Sequence, residues 1–276
     1  DSGIKECFEV EFSDGGKVKA TAEHLFPASL GSGKPVRKRL LSELINRRYP
    51  LISVSKRARL FQPKITKFHE EKPLPLDPYL LGILLGDGNM TSGCNNKFTN
   101  FCPDIVERAI RLLAQYGANL KQLGDRKGQY NIVVGGTGER DALGRWKMGE
   151  FSLILKALGI RQHGNYKFIP DIYLNASEES RKQLLAGLID TDGAKCEFCS
   201  SSKMLAEQFA FLIHSIGGKA NVKKYAHQNW YRVFWRANSN LPLCKEYKQF
   251  HTKREVDYSS RIVRKIHNIG EFPCGD

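Results

Sequence analysis

The chain has 276 residues, 43 Lys plus Arg against 29 Asp plus Glu, and a formal net charge of +14. Its 41% hydrophobic and 10% aromatic residues can build a core, which excludes wholesale disorder. No apolar run approaches the ~18 residues of a membrane-crossing helix, and the opening DSGIKECFEV lacks the basic start and apolar stretch of a secretory signal. The positive excess points to a polyanion, nucleic acid first and an anionic membrane surface second.

The charge is unevenly spread. Residues 34–72 and residues 219–265 each carry twelve Lys or Arg and three acids, +9 apiece, and the remainder is −4. The second block interleaves its cations with Tyr225, Trp230, Tyr231, Phe234 and Trp235. That mixture suits a groove around a charged backbone better than two solvated surfaces do. Seven cysteines, an odd count at irregular spacing, suit a reducing compartment. Cys196 and Cys199 form the one CxxC. It lacks a second pair for a zinc site and reads as small buried hydrophobes.

Along the chain, residues 6–12 read as a strand, 13–16 as a hairpin turn and 17–21 as the return strand. Three prolines within residues 72–78 mark a boundary, and Pro78 can open the next helix. Then a pattern occurs twice. Residues 78–88, PYLLGILLGDG, form an apolar helix ending in Asp-Gly; residues 182–193, KQLLAGLIDTDG, do the same. Asp87 and Asp192 stand 105 residues apart.

After each motif comes a strand-like run with Phe98 or Phe198. An amphipathic helix follows, carrying Ile105, Ala109 and Leu113 or Leu205, Phe209 and Leu212, and closing at Gly117 or Gly217. Strand pairs come next: residues 130–134 in the first half, 222–225 with 231–235 in the second. Residues 139–158, read as helical, join the halves.

Gly82 and Gly86 lie four apart on one helix face, and Ala186 and Gly187 give the second helix the same flatness. Two such helices can dock about a pseudo-two-fold axis, bringing Asp87 and Asp192 together at their C-termini. A helix dipole is negative there, so paired carboxylates call for a cation. Mg²⁺, or Mn²⁺, is the hard, phosphate-binding choice, and such a site suits in-line phosphodiester hydrolysis.

LLGILLGDG (80–88) and LAGLIDTDG (185–193) resemble the two motif copies of LAGLIDADG homing endonucleases of the single-chain, double-motif type. The second copy departs from the name at Thr191, and the first has Leu85 where the second has Asp190. The run KFIPDIYL (167–174) resembles that family's lead-in, and the resemblance covers about residues 76–250. It implies an α+β fold of two pseudo-symmetric αββαββα halves whose sheets form a saddle over the DNA major groove. It implies a monomer that cuts both strands of a double-stranded DNA site, leaving short 3′ overhangs. Asp87 and Asp192 would be the catalytic, metal-binding acids, assisted by the carbonyls of Gly86 and Thr191. Lys195 resembles the family's metal-adjacent lysine, with Met90 at its offset in the first half and Lys223 and Lys224 as competitors. Lys97, Lys121, Arg126 and Lys127 would meet DNA from the first half; Lys223, Lys224, Tyr225, Arg232 and Arg236 would do so from the second. Phe234 and Trp235 point opposite ways, so at most one of them faces DNA.

The flanks carry a second resemblance. GKVKATAEHLF (16–26), with Thr21 and His24, looks like the T-x-x-H block of inteins, which implies a small β-rich Hint-like region. The tail from residue 261 resembles the opening of a late intein block. The chain starts Asp1-Ser2 rather than with a nucleophile and ends Cys-Gly-Asp, and the internal His267-Asn268 is followed by Ile269, so the chain as it stands is not expected to splice.

The organisation expected is residues 1–75 as intein-like β region and basic linker, 76–158 as first half with connector, 159–250 as second half, and 251–276 as a return to the first region. The activity expected is site-specific double-strand DNA cleavage. A protein-splicing element carried within a host protein, an RNA-splicing maturase of the same fold and a catalytically inert DNA-binding regulator are the alternatives. The setting expected is intracellular: cytoplasmic, or nuclear or organellar in a eukaryote, with no membrane partner.

Overall fold

A computed structural model describes residues 3–13, 15–47, 49, 51–63, 65–68, 73–91, 96–135, 140, 142, 147–225, 230–237, 240–245, 248 and 258–273. Asp14 of the first turn, Lys72, Cys94, Cys274 and residues 139, 141 and 143–146 of the expected connector lie outside them. The chain forms two compact units, residues 1–64 with 256–276 and residues 65–255.

The first unit opens with β1 (Ile4–Phe12), β2 (Lys17–Thr21), β3 (Leu25–Ser29) and β4 (Arg37–Leu40). A short helix α1 (Ser42–Ile45), a 3₁₀ turn over Val54–Lys56 and β5 (Arg59–Pro63) follow. In β1, alternate residues Phe8, Val10 and Phe12 are buried, the two-residue period of a half-buried strand.

The second unit starts with α2 (Pro78–Asp87). Asp77 caps it by accepting from the Leu80 amide at 2.9 Å, and Pro78 sits in its first turn. Residues Tyr79 to Leu85 are all buried, so this helix is core on every side. β6 (Gly88–Asn89), β7 (Lys97–Thr99), α3 (Pro103–Ala114), β8 (Ala118–Leu123), β9 (Arg126–Val134) and α4 (Glu150–Ala157) complete an αββαββα order.

The expected connector helix is shorter than the sequence suggested. Gly149 is extended at φ −65° and ψ 158°, and α4 begins only after it. A Cβ on Gly149 would stand 2.5 Å from the Gly135 carbonyl, so this segment lies against β9's end instead of coiling.

The second motif follows a short helix α5 (Asp171–Leu174) and forms α6 (Glu178–Asp192), capped by Ser177. Then come β10 (Gly193–Ala194), β11 (Glu197–Ser200), α7 (Lys203–Ser215), β12 (Lys219–Tyr225) and β13 (Trp230–Arg236). The two four-stranded sheets have orders β6-β7-β9-β8 and β10-β11-β13-β12. Each puts one strand face on its helix: Phe98 and Ile132 are buried in one, Phe198, Val233 and Trp235 in the other. Phe198 stacks on Phe209 of α7 at 4.2 Å.

The last strand, β14 (Tyr258–Pro273), returns to the first unit, whose six-stranded sheet runs β2-β1-β14-β5-β3-β4. β14 lies antiparallel to β1, from Ile4 opposite Pro273 to Phe12 opposite Val263. The whole is a mixed α+β structure.

Candidate functional site

The site is built where α2 and α6 touch. A Cβ on Gly82 would lie 2.5 Å from the Leu184 carbonyl and 2.9 Å from the Gly187 Cα. Nothing larger than glycine fits, so the two backbones meet directly. One turn on, a Cβ on Gly86 would lie 2.0 Å from Thr191 Oγ1 and 3.4 Å from Asp192 Oδ2. The C-terminal turns of both motif helices therefore converge, each ending in its aspartate.

Asp87 is half-buried, and its Oδ2 accepts from Asn100 Nδ2 at 2.5 Å. Asn100 is itself fixed: its Oδ1 accepts from the Cys102 amide at 2.8 Å, and its own amide donates to the Gly128 carbonyl at 2.9 Å. Burial holds the Asp87 carboxyl above the usual range, against the Asn100 hydrogen bond and three lysine charges. Asp192 is exposed as a residue, while the packing around its carboxyl disfavours the charged form. That packing, then the charge of Asp87, pushes it up to about 6. The two carboxylates feel each other as like charges, which a shared cation would relieve.

Three lysines complete the site, and sequence reasoning missed all of them. Lys167 Nζ donates to the carbonyls of Leu85, Gly86 and Gly88 at 2.7, 3.0 and 2.9 Å, capping the end of α2. Lys248 Nζ donates to the Ile189 and Asp190 carbonyls at 2.7 and 3.1 Å, and Lys245 Nζ reaches the Asp190 carbonyl at 3.0 Å, capping α6. A cation at a helix C-terminus offsets the dipole and supplies the donors that the last carbonyls lack. Burial lowers the Lys167 ammonium, with the charges of Asp192 and Asp87 opposing. Burial and the neighbouring Lys245 bring Lys248 down to about 8. Lys167 stands in the run KFIPDIYL, where only its place before the second motif marked it; Lys248 sits in a segment with no periodic pattern.

Asp190, which Leu85 replaces in the first motif, does not face the aspartates' cluster as a ligand. Its carboxylate accepts from Tyr79 Oη at 2.9 Å and from the Cys244 and Lys245 amides at 2.8 and 3.0 Å. It pins the segment that delivers Lys245 and Lys248. Arg108 stacks over the Tyr79 ring at 3.4 Å and donates to Gln183 Oε1 at 2.7 Å, closing this buried network.

The other expected residues fall as follows. Lys195 is exposed in the turn between β10 and β11, with no side-chain hydrogen bond or ion pair among the described residues. The Gly86 carbonyl already accepts from Lys167. The Thr191 hydroxyl donates back to the Gly187 and Leu188 carbonyls at 2.9 and 3.0 Å, so it is turned onto its own helix. Lys223, Tyr225, Arg232 and Arg236 share the open face of their sheet, since Ala220, Val233 and Trp235 take the core face. Phe234 is on the open face and Trp235 is buried. Lys224 has the parity of Ala220 and Val222 and is directed to the other side. Lys97 and Lys121 both stand opposite Asn131 on the open face of the first sheet, Lys127 shares its parity, and Arg126 is exposed beside the irregular end of the β8–β9 ladder. In the first unit, the Thr21 carbonyl accepts from the His24 amide at 3.1 Å, and the His24 ring lies edge-on to Phe26.

Among the described residues no group of three or more His, Cys, Asp or Glu is placed to hold a metal, Cys196 and Cys199 included. The donor set for a cation is therefore two carboxylates with neighbouring main-chain carbonyls. It is hard and anionic, with a solvent-open side for water, which fits Mg²⁺ or Mn²⁺ and does not fit zinc.

No family model matches the chain. It is 26% identical over 286 residues to the replicative DNA helicase DnaB of Mycobacterium intracellulare, covering 93% of this chain and 42% of that protein. The chain thus spans less than half the length of the curated relative it matches. Among solved structures, mesophilic variants of the homing endonuclease I-DmoI align at 12% identity and TM-score 0.39, covering 59% of this chain and 88% of that one. I-DmoI in complex with DNA and Mn aligns at 13% identity and TM-score 0.39, covering 59% and 89%.

Proposed function

We propose that this protein is a site-specific, divalent-metal-dependent DNA endonuclease that hydrolyses phosphodiester bonds in both strands of a duplex. The observation that carries the reading is the meeting of Asp87 and Asp192 at two helix ends that pack through bare glycine backbone. Carboxylates so close, at negative dipole ends, have a physical purpose when a cation is bound between or beside them. The matched element orders and the reciprocal glycine contacts support a pseudo-two-fold pair of LAGLIDADG-type halves, each offering a sheet to the major groove.

In this reading Asp87 and Asp192 hold Mg²⁺ or Mn²⁺, with the Gly86 and Thr191 carbonyls near them. The bound cation supplies Lewis-acid stabilisation of charge on phosphate oxygens. The protein's own groups do the rest. Asn100 fixes the Asp87 carboxylate. Lys167 and Lys248 place positive charge beside both acids and take the role that the resemblance assigns to a lysine near the metal, in preference to the outlying Lys195. Lysines on the open sheet faces meet the backbone, and the protein acts as a monomer because both acids come from one chain.

A second activity is favoured by one feature of the first unit. Ile4 and Pro273 are cross-strand neighbours, so β1 and β14, the first and last strands of this unit in chain order, lie side by side. A unit entered and left at one place can sit within a host protein. The helicase relative, more than twice as long, supports such a host, and Thr21 and His24 support an intein-type unit. The odd count and irregular spacing of the cysteines accord with an intracellular setting.

Cleavage selection on a randomised duplex library with Mg²⁺ tests the nuclease. Wild type should cut a narrow set of sites, and Asp87→Asn or Asp192→Asn should abolish double-strand cutting while binding persists. Tight binding by wild type without any cutting would sink the claim.

A further inference from the structure

On the open face of the second sheet, cations stand directly opposite one another. Lys223 faces Arg232, and Lys219 faces Arg236. Like charges in direct cross-strand register destabilise a sheet, and the Lys223–Arg232 pairing suits a face that meets an anionic ligand. Arg232 is held within it. Its guanidinium lies 3.6 Å from the Glu197 carboxylate on the neighbouring strand β11 and 4.8 Å from the centre of the Tyr225 ring on β12. Three strands thus converge on one side chain, which remains about two-fifths exposed.

Glu197 is the one acid at the described strand positions of this face. A carboxylate beside an arginine is a disadvantage if that arginine grips phosphate, because it repels the phosphate and shares the donors. It is an advantage if the arginine must present its planar fork in one orientation. A fork held that way matches the O6 and N7 acceptors of guanine in the major groove.

From this geometry we infer that Arg232 is a specificity-determining residue that reads a guanine, with Glu197 and Tyr225 as its positioning residues. The inference rests on the duplex-reading role given above. The first sheet differs at the matched place: Gln129, one residue before the partner of Phe98, corresponds to Arg232, one before the partner of Phe198. Glutamine suits adenine, so the two sheets offer different base-reading groups at this matched place.

Binding selection on a randomised duplex library, in Ca²⁺ so that sequences are retained uncut, tests the inference with wild type, Arg232→Ala, Arg232→Lys and Glu197→Gln. Wild type should fix a guanine that Arg232→Ala releases, with discrimination at that one position falling on the order of tenfold to a hundredfold. Arg232→Lys should not restore it, and Glu197→Gln should weaken it while leaving other positions unchanged. If Arg232→Ala instead weakens all sequences equally and lowers the salt dependence by about one charge, Arg232 is a phosphate contact and the inference is wrong. An unchanged selection profile would overturn it as well. If wild type selects no sequence, the duplex-reading role fails first and takes this inference with it; the two failures are distinct.

Discussion

A Cβ on Gly82 would lie 2.9 Å from the Cα of Gly187, and a Cβ on Gly187 would lie 2.9 Å from the Cα of Gly82. The surroundings are reciprocal too. Gly82 looks onto the Leu184 carbonyl and the Leu188 amide, Gly187 onto the Tyr79 carbonyl and the Ile83 amide. Each of these positions has its counterpart 105 residues away, the spacing of Asp87 and Asp192.

Gly82→Ala and Gly187→Ala should each therefore destabilise the second unit. The added methyl would meet backbone, which cannot rotate away. Overpacking of this kind costs about 1–3 kcal/mol. A thermal or urea melt checks it, and the same variants should bind Mn²⁺ more weakly because the helix ends separate. An unshifted melt would show that the helices are not in backbone contact.

Asp192 should titrate near pH 6 in the metal-free protein, against an ordinary 3.8. A raised carboxyl pKa means that the folded state holds its proton longer. The contribution to stability is thus full below about pH 4 and is lost as pH climbs to about 6. Cation affinity runs the other way, since the ionised form binds, and it should weaken on acidification below pH 6. Carboxyl-carbon NMR of a selectively labelled protein, with and without Mg²⁺, reads both effects.

Lys167→Met should act on both aspartates at once. It removes a charge that lowers the pKa of each, so both midpoints should rise, that of Asp192 to beyond 6. It also strips the donor from three carbonyls at the end of α2, a loss of about 1–3 kcal/mol. NMR titration beside a denaturant melt separates the electrostatic from the structural effect. Midpoints unmoved in Lys167→Met would place the lysine outside the acid pair's field.

Asp190→Ala should release the segment that carries Lys245 and Lys248. Two amides and the Tyr79 hydroxyl lose their acceptor in a buried place. Proteolysis or hydrogen exchange should show residues 241–245 opening, with a smaller response for Tyr79→Phe, which removes a single donor. Exchange unchanged in Asp190→Ala would mean that other contacts hold this segment.

Lys248 should relax its own penalty at alkaline pH. Its folded value of about 8 lies below the ordinary 10.5, so the buried charge costs stability in full below pH 8. Stability should climb between pH 8 and 10.5 as the proton leaves. Comparing melts of wild type and Lys248→Met across that window isolates this contribution.

The sequence by itself determined what depends on neighbours a few residues away. The Asp77-Pro78 start and the apolar run to Leu85 dictate a buried helix, and alternation in residues 220–235 dictates which side chains leave the sheet's core face. Gly82, Gly86 and Gly187 could be read as a close-approach surface because small residues at helical spacing have few other uses. Lys223 and Lys224, expected together on the DNA from the sequence, are separated by the observed strand parity.

Only the tertiary structure decided who completes the site. Lys167 reaches a carbonyl 82 residues before it, and Lys248 one 59 residues before it. No periodicity links such positions; they meet because α2 and α6 dock and leave two helix ends short of donors. Asp190 shows the same limit: in sequence it resembles its fellow acid Asp192, and in the fold it accepts from Tyr79, Cys244 and Lys245. Local pattern sets the shape of each element. Which buried charge satisfies which orphaned carbonyl follows from packing alone.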